Sequence, residues 1–449
     1  MDLLPRAASI ATMKEILPTW PPIPTIVREM DIAAGIPSLN GLDGFQCVSV
    51  VFRYVGEVIG QSYLPLRHGQ VPIAQLEAQI NLLAARIHHI KSVSIIGKYY
   101  TSHGKYYMSN SNSCTSGQYP IDEYKASVIV CTHDRTEDLN RCLRSLLPLL
   151  DSGHEIIVVD SCPSDERTKT LISQQFPQIT YVLEPCPGTG IARSCGVRAA
   201  KQEFVAFTDD DAEVDPLWLS KLLRNFDDPT VGLVTGLALP MELETPAQVW
   251  FEATNTFSRG FERCTFDLNN IDPLAAGLLG ATVNSAFRRS VFDSVGYFDN
   301  ALGPGTPARA SDDHEMFYRI LAAGYRAVYD PSALVWHHHR RAWPALKSTL
   351  YNYSVSVFAW WTAALVVRNE WGLLRLGLGW FLKHHIGQIR DVILRRPGAV
   401  PPDLAYAELR GALMGPFSYF KSQRTMLELL RRLHPPANEV PLAQKAGVV

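Results

Sequence analysis

From residue 126 onward, segments typical of strands alternate with segments typical of helices, and this order constrains the fold more than any other feature of the chain. Short apolar strand patterns and amphipathic helical patterns follow one another repeatedly. Such an order is typical of a parallel sheet whose strands are joined by crossover helices. The sequence therefore predicts an α/β domain. The first predicted strands are 127–131, 155–159, 180–183 and 204–207.

The fourth of these strands ends in three consecutive acids, Asp209, Asp210 and Asp211. Open parallel sheets bind their ligands at the carboxyl edge, where these acids would lie. Carboxylates so close together repel one another. A hard divalent cation, Mg²⁺ or Mn²⁺, would relieve the repulsion and bridge to a diphosphate. The alternative is a solvated turn that is rich in aspartate and binds nothing.

Polar residues also follow the other predicted strands. Thr132, Asp134 and Arg135 come after the first strand, and Asp160 comes after the second. Arg193 lies one turn into a later helix that has a glycine-rich start. Polar residues after strands are common, and Asp134 could simply cap the next helix. Taken together, these residues predict a crevice of nucleotide size at the carboxyl edge of the sheet.

Composition argues against two classes of protein. The chain of 449 residues has a net charge of -2, from 42 basic and 44 acidic residues, so no overall positive field attracts nucleic acid. Its eight cysteines lack paired short spacings, which is typical of reduced thiols. The first residues include an early acid and no long apolar core, unlike a secretory signal. We therefore expect a cytoplasmic protein that does not bind nucleic acid.

The length predicts several modules rather than one core. Two strand patterns around Gly56 predict a hairpin, followed by a helix. After residue 345 the character changes to aromatic and helical, and a last helix is expected around 426–433. The predicted division is a small N-terminal α+β module (1–96), a linker or flexible insertion (97–125), the α/β domain (126–345), a helical C-terminal extension (346–435) and a flexible tail (436–449).

Four motifs, in this order, resemble those of glycosyltransferase family 2, the inverting, nucleotide-sugar-dependent enzymes of the GT-A fold. They are 127–135 (SVIVCTHDR), 158–160 (VVD), 188–193 (GTGIAR) and 209–211 (DDD). Their joint order is more specific than any one of them, and the similarity covers roughly residues 126–345. The resemblance implies a Rossmann-like GT-A fold with a mixed, mostly parallel sheet and flanking helices. One departure is Ser194, where relatives often have asparagine.

The resemblance implies a metal-dependent transferase of the hexosyltransferase type, with a nucleoside-diphosphate sugar as donor and a UDP-sugar as the favoured one. Asp209 and Asp211 would bind Mn²⁺ or Mg²⁺. Carboxylates accept hydrogen bonds from ribose hydroxyls and uracil N–H, while the ion neutralises the leaving diphosphate. The residues expected around the nucleotide-sugar are Thr132, Asp134, Arg135, Asp160, Gly190, Arg193, Asp209, Asp210 and Asn284.

Asp312 and Asp313 open a predicted helix and are the candidate catalytic acids. Acids at a helix start also stabilise the helix alone, with Ser311 or Asp312 as its cap, and this is the structural alternative. By the resemblance, Asp313 is the general base that takes a proton from the acceptor hydroxyl. Asp312 would orient the acceptor or the helix.

Three histidines, at 337–339, follow the last apolar strand pattern of the α/β domain. In an extended backbone His337 and His339 share one face, so one or both could reach an ion that His338 cannot. The resemblance favours His337 as a ligand of the metal or diphosphate. The alternative is a basic cluster in which Arg340 and Arg341 bind phosphates.

The acceptor is the remaining partner. The work of relatives implies a hydroxyl acceptor, lipid-linked in some of them, in the biosynthesis of polysaccharide, glycolipid or another glycoconjugate. The aromatic C-terminal extension, with its basic residues, could lie as a peripheral element on the inner face of the cell membrane. Its alternative is simple packing on the α/β domain.

Two other functions use a similar fold. A nucleotidyltransferase would need a basic glycine-rich loop near the first strand, and a non-catalytic sugar-nucleotide-binding protein would not need both acid sites. A dinucleotide-dependent oxidoreductase is set aside, because it requires a glycine-rich turn directly after the first strand, where this chain has 131–135 (CTHDR).

Overall fold

The computed structural model describes residues 23–87, 124–255 and 257–433. The predicted linker at 97–125 lies outside these ranges except for its last two residues. The predicted tail at 436–449 lies outside them entirely.

The N-terminal module is a small sheet with one helix against it. Within residues 23–87, β1 (Thr25–Asp31) pairs in parallel with β2 (Cys47–Tyr54), and β2 pairs antiparallel with β3 (Glu57–Pro65). The hairpin expected around Gly56 is present, and Val55 and Gly56 both have positive φ, as tight hairpin turns require. Arg53 joins this module to the larger domain by donating to Asp215 over 2.6 Å. The elements are β1 (Thr25–Asp31), a 3₁₀ turn (Ile32–Ala34), β2 (Cys47–Tyr54), β3 (Glu57–Pro65) and α1 (Ile73–Leu82).

The larger domain is built on a mixed sheet with helices on both faces, and the fold predicted from the sequence is confirmed. The strands are β4 (Ala126–Thr132), β5 (Glu155–Ser161), β6 (Thr180–Glu184), β7 (Phe204–Asp209), β8 (Ala212–Val214), β9 (Val231–Pro240), β10 (Cys264–Phe266), β11 (Ser285–Arg288) and β12 (Arg326–His337). In the described part of the chain the strand order is β10-β12-β9-β11-β7-β4-β5-β6, and β8 pairs with β12. Strands β6, β5, β4 and β7 are parallel, whereas β11 is antiparallel to both its neighbours.

Helices connect the strands of this domain and cover the sheet. The α-helices of this domain are α2 (Thr136–Asp151), α3 (Arg167–Gln175), α4 (Thr189–Ala199), α5 (Trp218–Leu223), α6 (Pro246–Asn255), α7 (Val291–Val295) and α8 (Asp312–Ala322). Short 3₁₀ segments lie at Arg224–Asp227, Pro273–Leu279 and Thr282–Asn284.

Both faces of the central strands are buried, which explains their continuous apolar runs. In β4, Val128 and Val130 belong to the core with α2, while Ile129 belongs to the core with α4. A Cβ at Gly196 would come within 2.5 Å of Ile129, so the glycine lets α4 lie directly on the sheet. Each such buried apolar side chain contributes roughly 1.5–3 kcal/mol.

The C-terminal extension is helical and packs on the α/β domain. Gly411 and Gly415 allow a close approach between two of its helices, because a Cβ at either position would come within 3 Å of Tyr351, Ser354, Val355 or Phe358. Ser422 donates to the carbonyl oxygen of Ala301 in the domain. The elements are α9 (Trp343–Arg368), α10 (Gly372–Phe381), a π-helical segment (Leu382–Ile386), α11 (Gly387–Ile393) and α12 (Pro402–Leu433).

Among the described helices, α9 has the length and composition of a helix that could cross a membrane. Its most apolar window has a mean hydropathy of 1.2, and 44% of that window is buried inside the protein. A single helix of this kind is weak evidence for a membrane span, because core helices share these properties.

Candidate active site

The three acids lie at the carboxyl edge of the sheet. Strand β7 ends at Asp209, β8 begins at Ala212, and Asp210 and Asp211 form the turn between them. Asp210 and Asp211 are buried, whereas the Asp209 side chain is 40% exposed. The short strand β8 pairs with the end of β12, which places His337 opposite Ala212. This pairing brings the histidine segment to the acids.

Asp210 is held by the segment that follows β4. Thr132 donates from Oγ1 to one carboxylate oxygen at 2.8 Å, and Arg135 donates to the other at 3.0 Å. Burial and the neighbouring charge of Asp211 raise the pKa of Asp210 to about 7. Asp210 is therefore an internal link between β7 and β4.

Asp211 is surrounded by positive partners. Arg135 and Arg340 approach its Oδ2 at 3.1 and 3.3 Å, and His337 Nε2 lies 3.3 Å from its Oδ1. Burial alone would raise the pKa of Asp211, but these partners outweigh burial and hold the pKa well below its usual range. Burial alone would lower the pKa of His337, and Asp211 instead raises it. Asp211 is thus the negative centre of a mostly cationic cluster.

The three histidines point to different partners. His337 faces Asp211, His338 contacts Glu213 at 3.1 Å, and His339 Nε2 lies 3.0 Å from Glu252. The other ring nitrogen of His339, Nδ1, lies 3.0 Å from Nδ1 of His337. His339 is buried and both of its ring nitrogens have partners in this structure, so its role as a metal ligand stays a prediction. The sequence spacing could not reveal Glu252 on α6.

Arg193 joins the two acid sites. Its Nη1 donates to Asp312 at 2.6 Å, and its Nη2 lies 3.4 Å from Asp209. Arg193 and Asp312 are both buried. Two carboxylates therefore contact its guanidinium group, and its contact with the base or diphosphate stays a prediction.

Asp312 and Asp313 occupy the first turn of α8 but differ in their surroundings. Gly303 lies so close to Asp312 that a Cβ would come within 3.0 Å of its carboxyl carbon. Asp313 is half-buried, accepts a hydrogen bond from the His314 amide at 2.8 Å and, among the described residues, belongs to no ion pair. Ser311 makes no side-chain cap, and its hydroxyl instead bonds Ser356 of α9 at 3.0 Å. Of the two acids, Asp313 has the freer carboxylate.

Tyr353 of α9 was not among the predicted site residues. Burial, followed by the charges of Asp211, Asp313 and Asp209, raises the pKa of its hydroxyl far above the usual range. Tyr353 could not be predicted from the sequence, because it belongs to a helix outside the recognised domain.

The ends of β4 and β5 form a second part of the edge. Asp160 is fully buried, and its Oδ2 accepts a hydrogen bond from the Tyr181 hydroxyl at 2.9 Å. Its Oδ1 has no partner among the described residues, and burial raises the pKa of the group. Asp134 has a positive φ and accepts a hydrogen bond from the Ser164 amide at 2.9 Å, which lowers its pKa. An unpaired buried acceptor is costly, so Asp160 Oδ1 fits a donor from a ligand.

Two further predicted site residues have structural roles. The Asn284 amide accepts from Trp218 and donates to the carbonyl oxygens of Leu237 and Ala333, each at 2.8 Å. Buried and bonded in this way, Asn284 braces β9 and β12, and its contact with the donor sugar stays a prediction. A Cβ at Gly190 would come within 2.6 Å of the Asp299 carbonyl oxygen, so close packing explains this glycine.

A divalent ion fits part of the predicted ligand set. Carboxylate oxygen and imidazole nitrogen both suit Mn²⁺, and Mg²⁺ prefers oxygen. Asp211 Oδ1 and His337 Nε2 are close enough to share one ion. Asp209 is partly exposed and its contact with Arg193 is long, so its carboxylate can turn towards them. Asp209, Asp211 and His337 fit such an ion.

The fold and this edge define an α/β domain of GT-A architecture with an acid cluster at the carboxyl edge of its sheet. The family model described as glycosyl transferase family 2 matches residues 127–296. Over these residues the match confirms the resemblance to glycosyltransferase family 2 that the sequence motifs carry.

The relatives carry glycosyltransferase names. A pre-mycofactocin glycosyltransferase of Mycobacterium tuberculosis is 30% identical over 277 residues, covering 56% of this chain and 53% of that protein. A glucosyl-dolichyl phosphate glucuronosyltransferase of Haloferax volcanii is 25% identical, covering 47% and 69%. The crystal structure of TarS from S. aureus matches 54% of this chain and 40% of that chain, with 16% identity and a TM-score of 0.39. The chain spans about half the length of the first of these relatives.

Proposed function

We propose that the chain is an inverting glycosyltransferase that moves a sugar from a nucleoside-diphosphate sugar to an acceptor hydroxyl. The observation that carries this proposal is the meeting of two acid sites, at the end of β7 and the start of α8, where Arg193 contacts both Asp209 and Asp312. One site is surrounded by cations suited to a diphosphate, and the other offers an unpaired carboxylate. Transfer from a sugar nucleotide needs both kinds of group.

The nucleoside lies, in this proposal, against the ends of β4 and β5. Asp160 Oδ1 would accept a hydrogen bond from a base N–H or a ribose hydroxyl and so satisfy a buried acceptor. A uracil N–H is such a donor, and this supports a UDP-sugar as the favoured substrate.

The diphosphate lies next to Arg135, Arg340 and the Asp211 carboxylate. A Mn²⁺ or Mg²⁺ ion held by Asp209, Asp211 and His337 would neutralise the charge that develops on the leaving diphosphate. A protonated His337 would compete with that ion for Asp211, because both need Oδ1. Arg340 lies in this cluster, whereas Arg341 contacts Glu242 and Glu244 outside it. Of the two basic residues, Arg340 is the one that can contact phosphate.

Asp313 is the general base of the proposed reaction. Its half-buried carboxylate is free of ion pairs among the described residues and can accept the acceptor's proton. Asp312 cannot take this role easily, because Arg193 holds it. Asp312 therefore positions α8 and acts through its neighbour.

The acceptor class is proposed from the relatives and from the C-terminal helices. One relative is named for glucosyl-dolichyl phosphate, and this name supports a lipid-linked acceptor. Another is named for poly-β-1,6-N-acetyl-D-glucosamine synthesis, and this name supports a glycoconjugate or polysaccharide acceptor. Large apolar side chains on α10, α11 and α12 are exposed, among them Trp371, Ile393 and Phe417. Such residues suit a peripheral position on the inner face of the cell membrane.

The test is to incubate the purified chain with labelled sugar nucleotides, with Mn²⁺, Mg²⁺ or EDTA, and to separate the products. A glycosyltransferase releases a nucleoside diphosphate and passes the sugar to an acceptor or slowly to water. A nucleotidyltransferase cleaves within the diphosphate, and a binding protein leaves the donor intact. Asp293→Asn, at an exposed acid in the first turn of α7, is the matched control for Asp313→Asn. An intact donor, or cleavage unaffected by Asp313→Asn, would rule out the proposal.

A further inference from the structure

A second cluster of metal-ligating side chains lies in the C-terminal extension, on elements separate from the acid edge. His384 and His385 belong to the π-helical segment between α10 and α11, and Glu408 belongs to α12. One ligand atom from each residue lies within 4.8 Å of the other two. We infer that these three residues bind a divalent transition-metal ion of the zinc class and thereby clip the π-helical segment to α12.

His385 is the strongest evidence for a ligand. Its side chain is buried, with 1% of the residue exposed, and neither ring nitrogen has a hydrogen-bond partner among the described residues. A buried polar group without a partner costs about 1–3 kcal/mol, so native proteins rarely retain one. Imidazole binds a metal ion through a ring nitrogen that carries a lone pair, and His385 has such a nitrogen without a hydrogen-bond partner among the described residues.

Glu408 and His384 complete the set. Glu408 Oε2 is buried without a hydrogen-bond partner among the described residues, and it lies 3.6 Å from His384 Nε2. The Gln388 amide nitrogen lies 3.3 Å from that same Nε2, and an ion bound by this nitrogen would replace the contact. His384 also stacks on Trp380, with ring centroids 4.6 Å apart, and this contact fixes the ring plane.

The chemistry of the donors selects the kind of metal. Two imidazole nitrogens and one carboxylate oxygen suit Zn²⁺, whereas Mg²⁺ and Ca²⁺ prefer oxygen alone. Ligand atoms about 2.0–2.1 Å from a tetrahedral ion lie closer together than the 4.8 Å limit here, so small side-chain rotations would close the site. His384 and Glu408 are partly exposed, which leaves room for water as a fourth ligand.

The backbone explains what the ion would do. Segments of π-helix are rare and often mark functional sites, and this one carries both histidines. The Glu408 carbonyl oxygen accepts a hydrogen bond from Ser354 of α9 at 2.7 Å, so α12 is already fixed on its other side. An ion would add the missing link between α12 and the π-helical segment. Its effect would be on the stability of the C-terminal helices, and it does not depend on the proposed transfer reaction.

The experiment measures Zn²⁺ bound by the full chain after removal of metal with EDTA and dialysis against Zn²⁺. We expect one equivalent that is lost in His384→Ala and in Glu408→Gln, both changes at partly exposed positions. Asp211→Asn should retain this equivalent, which separates it from any ion at the acid edge. His68→Asn, at an exposed histidine with positive φ, is the matched control and should also retain it.

Two further readouts decide the inference. Zn²⁺ should raise the unfolding temperature of wild type and of Asp211→Asn but not of His384→Ala, because an ion that binds the native state stabilises it. Co²⁺ in place of Zn²⁺ should give the visible absorption of a tetrahedral site in wild type and in Asp211→Asn but not in His384→Ala. Zn²⁺ binding that is equal in wild type, His384→Ala and Glu408→Gln, or absent from wild type, would overturn the inference.

Discussion

Arg193 donates from Nη1 to Oδ2 of Asp312 across 2.6 Å, and the two side chains are only 7% and 3% exposed. This pair joins α4 to α8 beneath the candidate site. Asp312→Ala would leave Arg193 buried, and its remaining carboxylate partner would be Asp209, whose Oδ1 lies 3.4 Å from Nη2. We expect the free energy of unfolding to fall by about 3–5 kcal/mol in urea denaturation.

The matched control for this prediction is an exposed pair. Arg424 and Glu428 form an i,i+4 ion pair on α12 in contact with solvent. Glu428→Ala should change the free energy of unfolding by about 0–1 kcal/mol. If Asp312→Ala costs no more than Glu428→Ala, the buried pair does not have the structural role described here.

Stability should also depend on pH through Asp210. Its pKa in the folded protein is about 7, above its usual value of 3.8, because it is buried beside Asp211. Between these values the folded state binds more protons than the unfolded state, so the free energy of unfolding should fall as pH rises from about 4 to 7. Asp210→Asn should flatten this slope in urea denaturation at a series of pH values. An unchanged slope would contradict the assignment.

The effect of Asp211 has the opposite sign and falls in another pH range. Its pKa is depressed in the folded protein, so its contribution is complete above about 4 and is lost as pH falls further. The two acids can therefore be distinguished by the pH range of each variant's effect.

Much of the sheet could be predicted because its strands are buried on both faces. Short apolar runs between two helical segments, such as those of β4 and β5, are typical of the buried strands of a parallel sheet. The length of α12 could not be predicted: the sequence indicated a helix around 426–433, whereas the helix begins at Pro402. Gly411, Gly415 and Pro416 disfavour helix locally, and contact with α9 stabilises it.

The position of a site residue could be predicted where the course of the backbone alone determines it. Residues that end parallel strands must meet at one edge, which is why Asp160 and Asp211 were found. Side-chain direction depends on distant partners, so the contacts that Arg193, Asn284 and His339 make in the structure could not be predicted. Their partners Asp312, Trp218 and Glu252 lie 119, 66 and 87 residues away in the chain.

Nucleotide binding should depend on a divalent ion at Asp211. Asp211→Asn removes a negative ligand and should weaken binding of UDP and UDP-sugars in Mn²⁺, and it should also abolish the difference between Mn²⁺ and EDTA. Isothermal titration calorimetry measures both, and Asp293→Asn is the control. Equal affinity in wild type and Asp211→Asn, with and without Mn²⁺, would refute the metal assignment. Binding that resists EDTA in wild type but falls in Arg340→Ala would favour the cationic cluster as the diphosphate site.

The C-terminal helices should bind anionic membranes. Trp371 and Phe417 are 66% and 69% exposed, and basic residues such as Arg390 lie on the same group of helices. The double variant Trp371→Ser, Phe417→Ser should reduce co-flotation with anionic liposomes. Leu82→Ser, at an exposed leucine of α1, should not. Equal recovery with neutral and anionic vesicles, or none with either, would instead favour helices that only pack on the domain.

Asp313 should be the general base of an inverting transfer. A hydroxyl nucleophile needs a proton acceptor, and Asp313 is the acid of α8 whose carboxylate is not held by Arg193. Asp313→Asn should lower the turnover rate by about 10²–10⁴ while nucleotide affinity remains near that of wild type. Asp312→Asn should lower stability more than turnover, because Asp312 acts on the position of α8. Near-normal turnover in Asp313→Asn, or a product that retains the donor's anomeric configuration, would show that another group carries out this step.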